Sequence, residues 1–231
     1  MKTIGLLGGM SWESSIEYER LINLAVRKRL GGTSSADLII RSFNFADLEA
    51  LQKAGKWDEA GAILAKAAQD LEAAGARAVL ICANTMHLVA GQVQDAISIP
   101  VLHIADAIGA EAKSKQVSKV LLLGTRYTME KDFLKGKLAS DFGLQVSVPN
   151  PEQRDEVHRI IYEELVRGVI DAKSKRYVLD LIDEFTSAGI EGVIAGCTEI
   201  ELLVKAEDLT LPYFPTAALH AAAAAKFALS N

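Results

Sequence analysis

Short apolar runs rich in Val, Ile and Leu alternate along the chain with longer stretches whose apolar residues recur every three or four positions. The short runs predict strands over 3–7, 37–41, 78–82, 101–103, 119–123, 145–148 and 192–195. Between them, Ala60, Leu64, Ala67, Ala68 and Leu71 fall at helical spacing within 57–74. Further helices are expected over 14–29, 130–140, 155–167 and 173–188, and a closing Ala-rich helix over 216–229. Strand and helix in alternation predict βα units, parallel sheets and an α/β fold.

The pattern also repeats. Leu6-Leu7-Gly8-Gly9-Met10-Ser11 resembles Leu122-Leu123-Gly124-Thr125-Arg126-Tyr127, each a strand running into a glycine turn. Val79-Leu80-Ile81-Cys82-Ala83-Asn84-Thr85 resembles Val193-Ile194-Ala195-Gly196-Cys197-Thr198-Glu199. From Gly8 to Ala83 is 75 positions, and from Gly124 to Cys197 is 73. Two copies of one α/β unit explain this: a first lobe over 1–103 and a second over 104–211. Pro212-Tyr213-Phe214-Pro215 reads as a crossing segment that returns 212–231 to the first lobe. Ligands of open parallel sheets bind outside the carboxyl ends of strands, so all four turns are candidates for one shared cleft.

Composition narrows the function. A net charge of −5 and no basic stripe argue against a nucleic-acid partner. No run reaches the roughly 20 apolar residues that span a bilayer. Cys82 and Cys197 are the only cysteines, too few for a disulfide framework, which points to a reducing cytoplasm. None of the four histidines stands at zinc-ligand spacing from them, so no metal is expected.

Cys197 ends an apolar run after Gly196, where backbone amides and a following helix start would favour its thiolate. A buried, inert thiol is the alternative. Cys82 lies one residue deeper in its strand. Successive strand side chains point to opposite faces, so if Ala83 faces the cleft, Cys82 faces the core unless a local bend intervenes. Asn84, Thr85 and Thr198 suit helix capping or anion binding. The Gly8-Gly9-Met10-Ser11 turn lacks the rest of either nucleotide motif. His87 is a weak cleft candidate, His103 and His220 are expected near chain crossings, and His158 on a solvated helix face. Arg126 and Lys205 are possible carboxylate partners, and Gln52 a possible lid contact.

Four blocks in order carry a family likeness: Gly5-Leu6-Leu7-Gly8-Gly9-Met10-Ser11-Trp12-Glu13-Ser14, Cys82-Ala83-Asn84-Thr85-Met86-His87, Gly124-Thr125-Arg126-Tyr127-Thr128-Met129 and Gly196-Cys197-Thr198-Glu199. The chain resembles the aspartate/glutamate racemase superfamily, and most its bacterial members acting on those amino acids. The resemblance implies two similar α/β lobes related by a pseudo-two-fold axis, with the active site in the cleft between them. It implies a cofactor-independent homodimer whose partner is a small acidic amino acid. One acid/base group removes the α-proton and another returns a proton to the opposite face, a task that suits thiols. Cys197 maps onto the second-lobe acid/base residue. Met10, Ser11, Gln52, Asn84, Thr85 and Thr198 map onto substrate contacts, and Ala83 is counted with them.

The first-lobe acid/base position, directly before the Asn-Thr pair, is Ala83. Four explanations are open: Cys82 displaced into the role, a water or neighbouring group acting through His87, one-thiol chemistry, or an engineered substitution at Ala83. The expected function is slow racemisation of aspartate or glutamate with Cys197 indispensable. The alternatives are a one-cysteine decarboxylase or cis-trans isomerase of a small dicarboxylate, and a non-catalytic amino-acid-binding protein.

Overall fold

Every residue of β1 (Ile4–Gly8) is buried, as an uninterrupted apolar run in a parallel sheet requires. The structure, a computed structural model, describes residues 1–230 and divides into two units, Met1–Ile104 with Ala217–Asn231, and Ala105–Thr216. In the first unit, β1 leads into α1 (Trp12–Leu30), β2 (Leu38–Ser42), α2 (Phe45–Lys53), α3 (Trp57–Ala73), β3 (Ala78–Ile81), a 3₁₀ turn at Thr85–Val89 and α4 (Ala90–Asp95). The sheet is parallel in the order β2-β1-β3. The expected strand over 101–103 is reduced to a single bridge between Val79 and Val101.

Two cores cover the two faces of this sheet, and strand alternation decides which residue joins which. Ala78, Leu80 and Cys82 pack with Ile4, Leu6, Tyr18 and Ile22 of β1 and α1. Val79 and Ile81 pack with Leu7, Leu64, Ala68 and Leu71 on the α3 side. The C-terminal helix, Thr216–Ala228, completes the first core with Ala217, Ala221, Ala224, Ala225 and Ala228. Its small side chains let the helix lie close to the strands.

The second unit runs through α5 (Ile104–Ser114), β4 (Lys119–Gly124), α6 (Arg126–Glu130), α7 (Asp132–Phe142), β5 (Gln145–Ser147), α8 (Pro151–Arg159), α9 (Ala172–Ser187), β6 (Gly192–Gly196), α10 (Ile200–Leu203) and β7 (Tyr213–Pro215). Its parallel sheet has the order β5-β4-β6-β7. Tyr213–Pro215 is therefore the edge strand of this unit, paired Val193↔Tyr213 to Ala195↔Pro215, and the chain rejoins the first unit at Ala217 instead of 212. Thr216 Oγ1 donates to Ala195 O at 2.8 Å and fastens that exit. α8 starts earlier than its periodicity predicts. Asn150 accepts from Gln153 N, Gln153 Oε1 accepts from Asn150 N, and Pro151 takes a position that needs no amide donor. It also stops being α-helical at Ile160–Glu164, where a π-type turn shifts the register.

Candidate active site

In the first unit the turn after β1 needs glycine. Gly9 has φ +82°, and a Cβ there would lie 2.3 Å from Phe43 O and 2.4 Å from Phe43 N. The Gly9 amide donates to Ser15 Oγ at 2.6 Å, and Ser15 Oγ donates to Ser11 O at 3.0 Å. Ser11 caps α1 through Ser14 N, so Met10 and Ser11 are held, largely buried, at the carboxyl end of β1. Gln52, from α2, is 4 % exposed. Its Nε2 donates to Met86 Sδ at 3.1 Å, while its buried Oε1 has no hydrogen-bond partner among the described residues.

At the end of β3 the cysteine and its neighbour part company. Cys82 is fully buried in the core on the α1 side, and desolvation pushes its thiol pKa far up. Ala83 is only partly buried and packs on the opposite, α3-side core. Nothing displaces Cys82 toward Ala83's side, and its amide continues the ladder to Leu7 O at 2.9 Å. Asn84 and Thr85 are buried just beyond. Asn84 stands before the 3₁₀ turn without capping it through its side chain. The His87 amide is accepted by the Asn84 carbonyl at 3.0 Å instead.

His87 is buried within the first unit. Its Nδ1 lies 2.9 Å from Ala83 O, and its Nε2 accepts the Ile104 amide at 3.2 Å, so both nitrogens are committed to backbone. That pattern requires a neutral ring protonated at Nδ1. Burial, then the neighbouring His103 and His220, hold its pKa well below the usual histidine range. His220 is equally fixed, between Tyr18 OH at 3.0 Å and Leu102 O at 2.6 Å.

In the second unit, Cys197 follows β6 and is 9 % exposed. Its Sγ donates to Glu199 Oε2 at 2.8 Å, and Thr198 Oγ1 donates to the same oxygen at 2.8 Å. The expectation of a favoured thiolate is overturned. Burial, followed by the charge and hydrogen bond of Glu199, pushes the Cys197 pKa well above its ordinary value. The amides of Glu199 and Ile200 act in the opposite direction and are outweighed. The resting group is a thiol whose proton points at a carboxylate, a pair able to pass one proton between sulfur and oxygen. Glu199 as the partner of Cys197 was missed in the sequence, although it stands within the same Gly-Cys-Thr-Glu block.

Arg126 and Lys205 are engaged elsewhere: Arg126 Nη1 with Asp155 Oδ1 at 3.1 Å, and Lys205 Nζ with Glu201 O at 2.5 Å. His158 is not solvated. It is partly buried, with Nδ1 3.2 Å from the Arg126 amide. The described residues contain no cluster of three or more His, Cys, Asp or Glu able to hold a metal ion.

The Asp/Glu/Hydantoin racemase family model matches residues 7–224. The chain belongs to the Asp/Glu/Hydantoin racemase family. A proposed Asp/Glu racemase from Yersinia pestis is 46 % identical over 100 % of both chains, with a TM-score of 0.94. An aspartate racemase homologue from Pyrococcus horikoshii is 39 % identical over 100 % of both, with a TM-score of 0.87. The aspartate racemase of Picrophilus torridus shares the fold at 15 % identity and a TM-score of 0.78, over 99 % of this chain and 94 % of its own. This family member is thus an isomerase of the racemase class with the two-sheet α/β fold of its relatives. Among the described residues, none of its helices is long and apolar enough to cross a membrane.

Proposed function

We propose that this racemase interconverts the enantiomers of aspartate or glutamate without a cofactor, using Cys197 as the acid/base group. The observation that carries the proposal is the Cys197–Glu199 contact at a strand end. As acid, the thiol gives its proton to the substrate carbanion. As base, Glu199 takes the thiol proton and the thiolate removes the α-proton, which keeps charge balanced in a buried site. Substrate contacts in the first unit are assigned to Met10, Ser11, Gln52, Asn84 and Thr85, and in the second to Thr198. The uncommitted acceptor of Gln52 supports its assignment, because a buried carbonyl oxygen is costly unless a donor such as a substrate ammonium reaches it.

At the first-lobe position that the resemblance assigns to the second acid/base group, the side chain is the methyl of Ala83. Ala83 transfers no proton, Cys82 lies in the core behind it, and both His87 nitrogens are occupied. Water is left as the second proton donor, which makes turnover slow and the two directions unequal. Exchange of the α-proton in D2O, followed from each enantiomer of aspartate and glutamate separately, tests this. Absence of exchange above background from all four would sink it. Ala83 is also the one observation that favours one-thiol chemistry, decarboxylation or cis-trans isomerisation of a small dicarboxylate, and product analysis with malonates and maleate distinguishes that. Tight amino-acid binding without exchange would indicate a binding protein. The same proposal takes the protein as a cytoplasmic homodimer, supported by the resemblance and by its two unbridged thiols. Light scattering on the purified chain tests the dimer.

A further inference from the structure

β4 and β6 are paired to their last residues, Gly124 beside Gly196, so the turn leaving β4 abuts the turn that carries Cys197. The fit is close. A Cβ on Gly124 would lie 2.8 Å from Gly196 O, and one on Gly196 would lie 2.9 Å from Leu123 O. Thr128 of α6 stands 3.4 Å from both of those positions. α6 therefore lies against Gly196, the residue before Cys197, and its Met129 shares a core with Cys197, so a shift of α6 bears on the turn that carries the thiol.

Beside the Arg126–Asp155 ion pair, two contacts engage the amides at the start of α6. Thr125 Oγ1 accepts from Thr128 N at 3.3 Å. The Arg126 amide, which has no acceptor within its own helix, donates to His158 Nδ1 of α8 at 3.2 Å. His158 sits against Tyr162, 4.5 Å between ring centroids, with Tyr127 edge-on at 6.0 Å. A ring that accepts at Nδ1 is neutral and carries its proton on Nε2. An imidazolium would set N–H against N–H and break this contact, leaving α6 tied to α8 through the side chains of Arg126 and Glu130.

We infer that His158 is a positioning residue for Cys197: its Nδ1 pins the α6 turn, and its protonation breaks that contact. His158 touches no reacting atom in this scheme and acts through Arg126 and Thr128. The charged groups facing it are Arg126 and Glu130 of α6 and Asp155 of its own helix. Burial and Arg126 disfavour the imidazolium, Asp155 and Glu130 favour it, and the balance lies below the ordinary histidine value. A base with a depressed folded pKa takes up protons more readily when unfolded. The contact is thus intact above pH about 6.5 and lost as pH falls through the window beneath it.

The test uses the full chain, with α-proton exchange of aspartate in D2O read across pH, and rests for that arm on the racemase proposal. His158→Asn keeps an acceptor near the Nδ1 position without a titrating group. It should retain kcat within about threefold at pH 8 and lose the acid limb of the wild-type profile. His158→Phe keeps the aromatic packing and removes the acceptor. It should lower kcat roughly 10- to 100-fold while KM changes little. Wild-type kcat and an unaltered pH profile in both variants would overturn the inference. A second arm needs neither variant nor substrate. Ring-¹⁵N NMR of the wild type should show the Nε2–H tautomer at His158, with the Arg126 amide shift following the same titration. A His158 protonated at Nδ1, or an Arg126 amide indifferent to that titration, overturns the inference even if a variant misfolds. Failure of the wild type to exchange any substrate would instead remove the racemase proposal, leaving the NMR arm to decide this one.

Discussion

Glu199→Gln separates two roles for the carboxylate that differ in sign. Glu199 is 8 % exposed and its Oε2 accepts from both Cys197 Sγ and Thr198 Oγ1 at 2.8 Å. If Glu199 receives the thiol proton during turnover, its amide replacement removes the carboxylate that the sulfur contacts. General acid–base catalysis contributes about 10²–10⁴ in rate, so the loss in kcat corresponds to about 3–5 kcal/mol of barrier. If Glu199 only raises the thiol pKa, its removal lowers that pKa, enlarges the thiolate fraction at neutral pH and speeds exchange. Burial alone still holds the thiol up in the variant, being the largest cause of the shift. The assay is α-proton exchange from L- and D-aspartate over a pH series. Thiolate ultraviolet absorbance, measured against Cys197→Ser, is read in parallel. The expected outcome is a thiolate that forms at lower pH together with a kcat at least 100-fold below wild type. A variant whose kcat equals or exceeds wild type, while its thiol titrates earlier, would refute the proton-acceptor role.

Ala83→Cys and Ala83→Thr should each raise racemisation and bring the two directions closer in rate, as measured by polarimetry from either enantiomer. Unchanged turnover in both would mean that a side chain at this position does not reach the substrate. Cys82→Ser places a hydroxyl in an apolar core and should cost about 1–3 kcal/mol of stability in denaturant melts, with kcat retained. A severe loss of kcat in a folded variant would make Cys82 the second acid/base group. Because burial raises the Cys82 pKa above its unfolded value, this thiol ionises more readily on unfolding. Stability is therefore lost as pH rises above about 8.5, and Cys82→Ala should flatten that alkaline decline. Gly9→Ala forces a methyl group onto the Phe43 backbone at positive φ. It should lower Tm by roughly 4–10 °C and raise KM, whereas an unchanged melt would show that the turn has an alternative conformation.

Much of this was legible in the residues because it depends on short periods. The two-residue alternation of β3 sends Cys82 and Ala83 to opposite cores whatever surrounds them, and the sequence alone predicts their separation. The alanine face of the last helix is likewise local. The edge strand Tyr213–Pro215 was not legible, since three residues flanked and ended by prolines become a strand only through pairing with β6. Position 158 was misread because its exposure depends on α6 lying against α8, a tertiary contact that periodicity does not carry. The same holds for charge at Cys197. Helix-start amides were visible in the sequence, but the larger opposing causes, burial and the direction of the Glu199 side chain, depend on how the turn after β6 is folded.

The first unit is discontinuous, and this has a consequence for synthesis. Ile4, Leu6, Tyr18 and Ile22 share a core with alanines that lie beyond residue 216, and Lys2 is tied to the same helix by its amide, 2.8 Å from Ala228 O. As the chain leaves the ribosome, Ala105–Thr216 emerges as an uninterrupted stretch able to fold on its own schedule. The earlier-made segment must wait with one sheet face covered by α1 alone until the last helix arrives. The amino-terminal half is thus made first and finished last, and it is the half most exposed to chaperones and to aggregation during that interval.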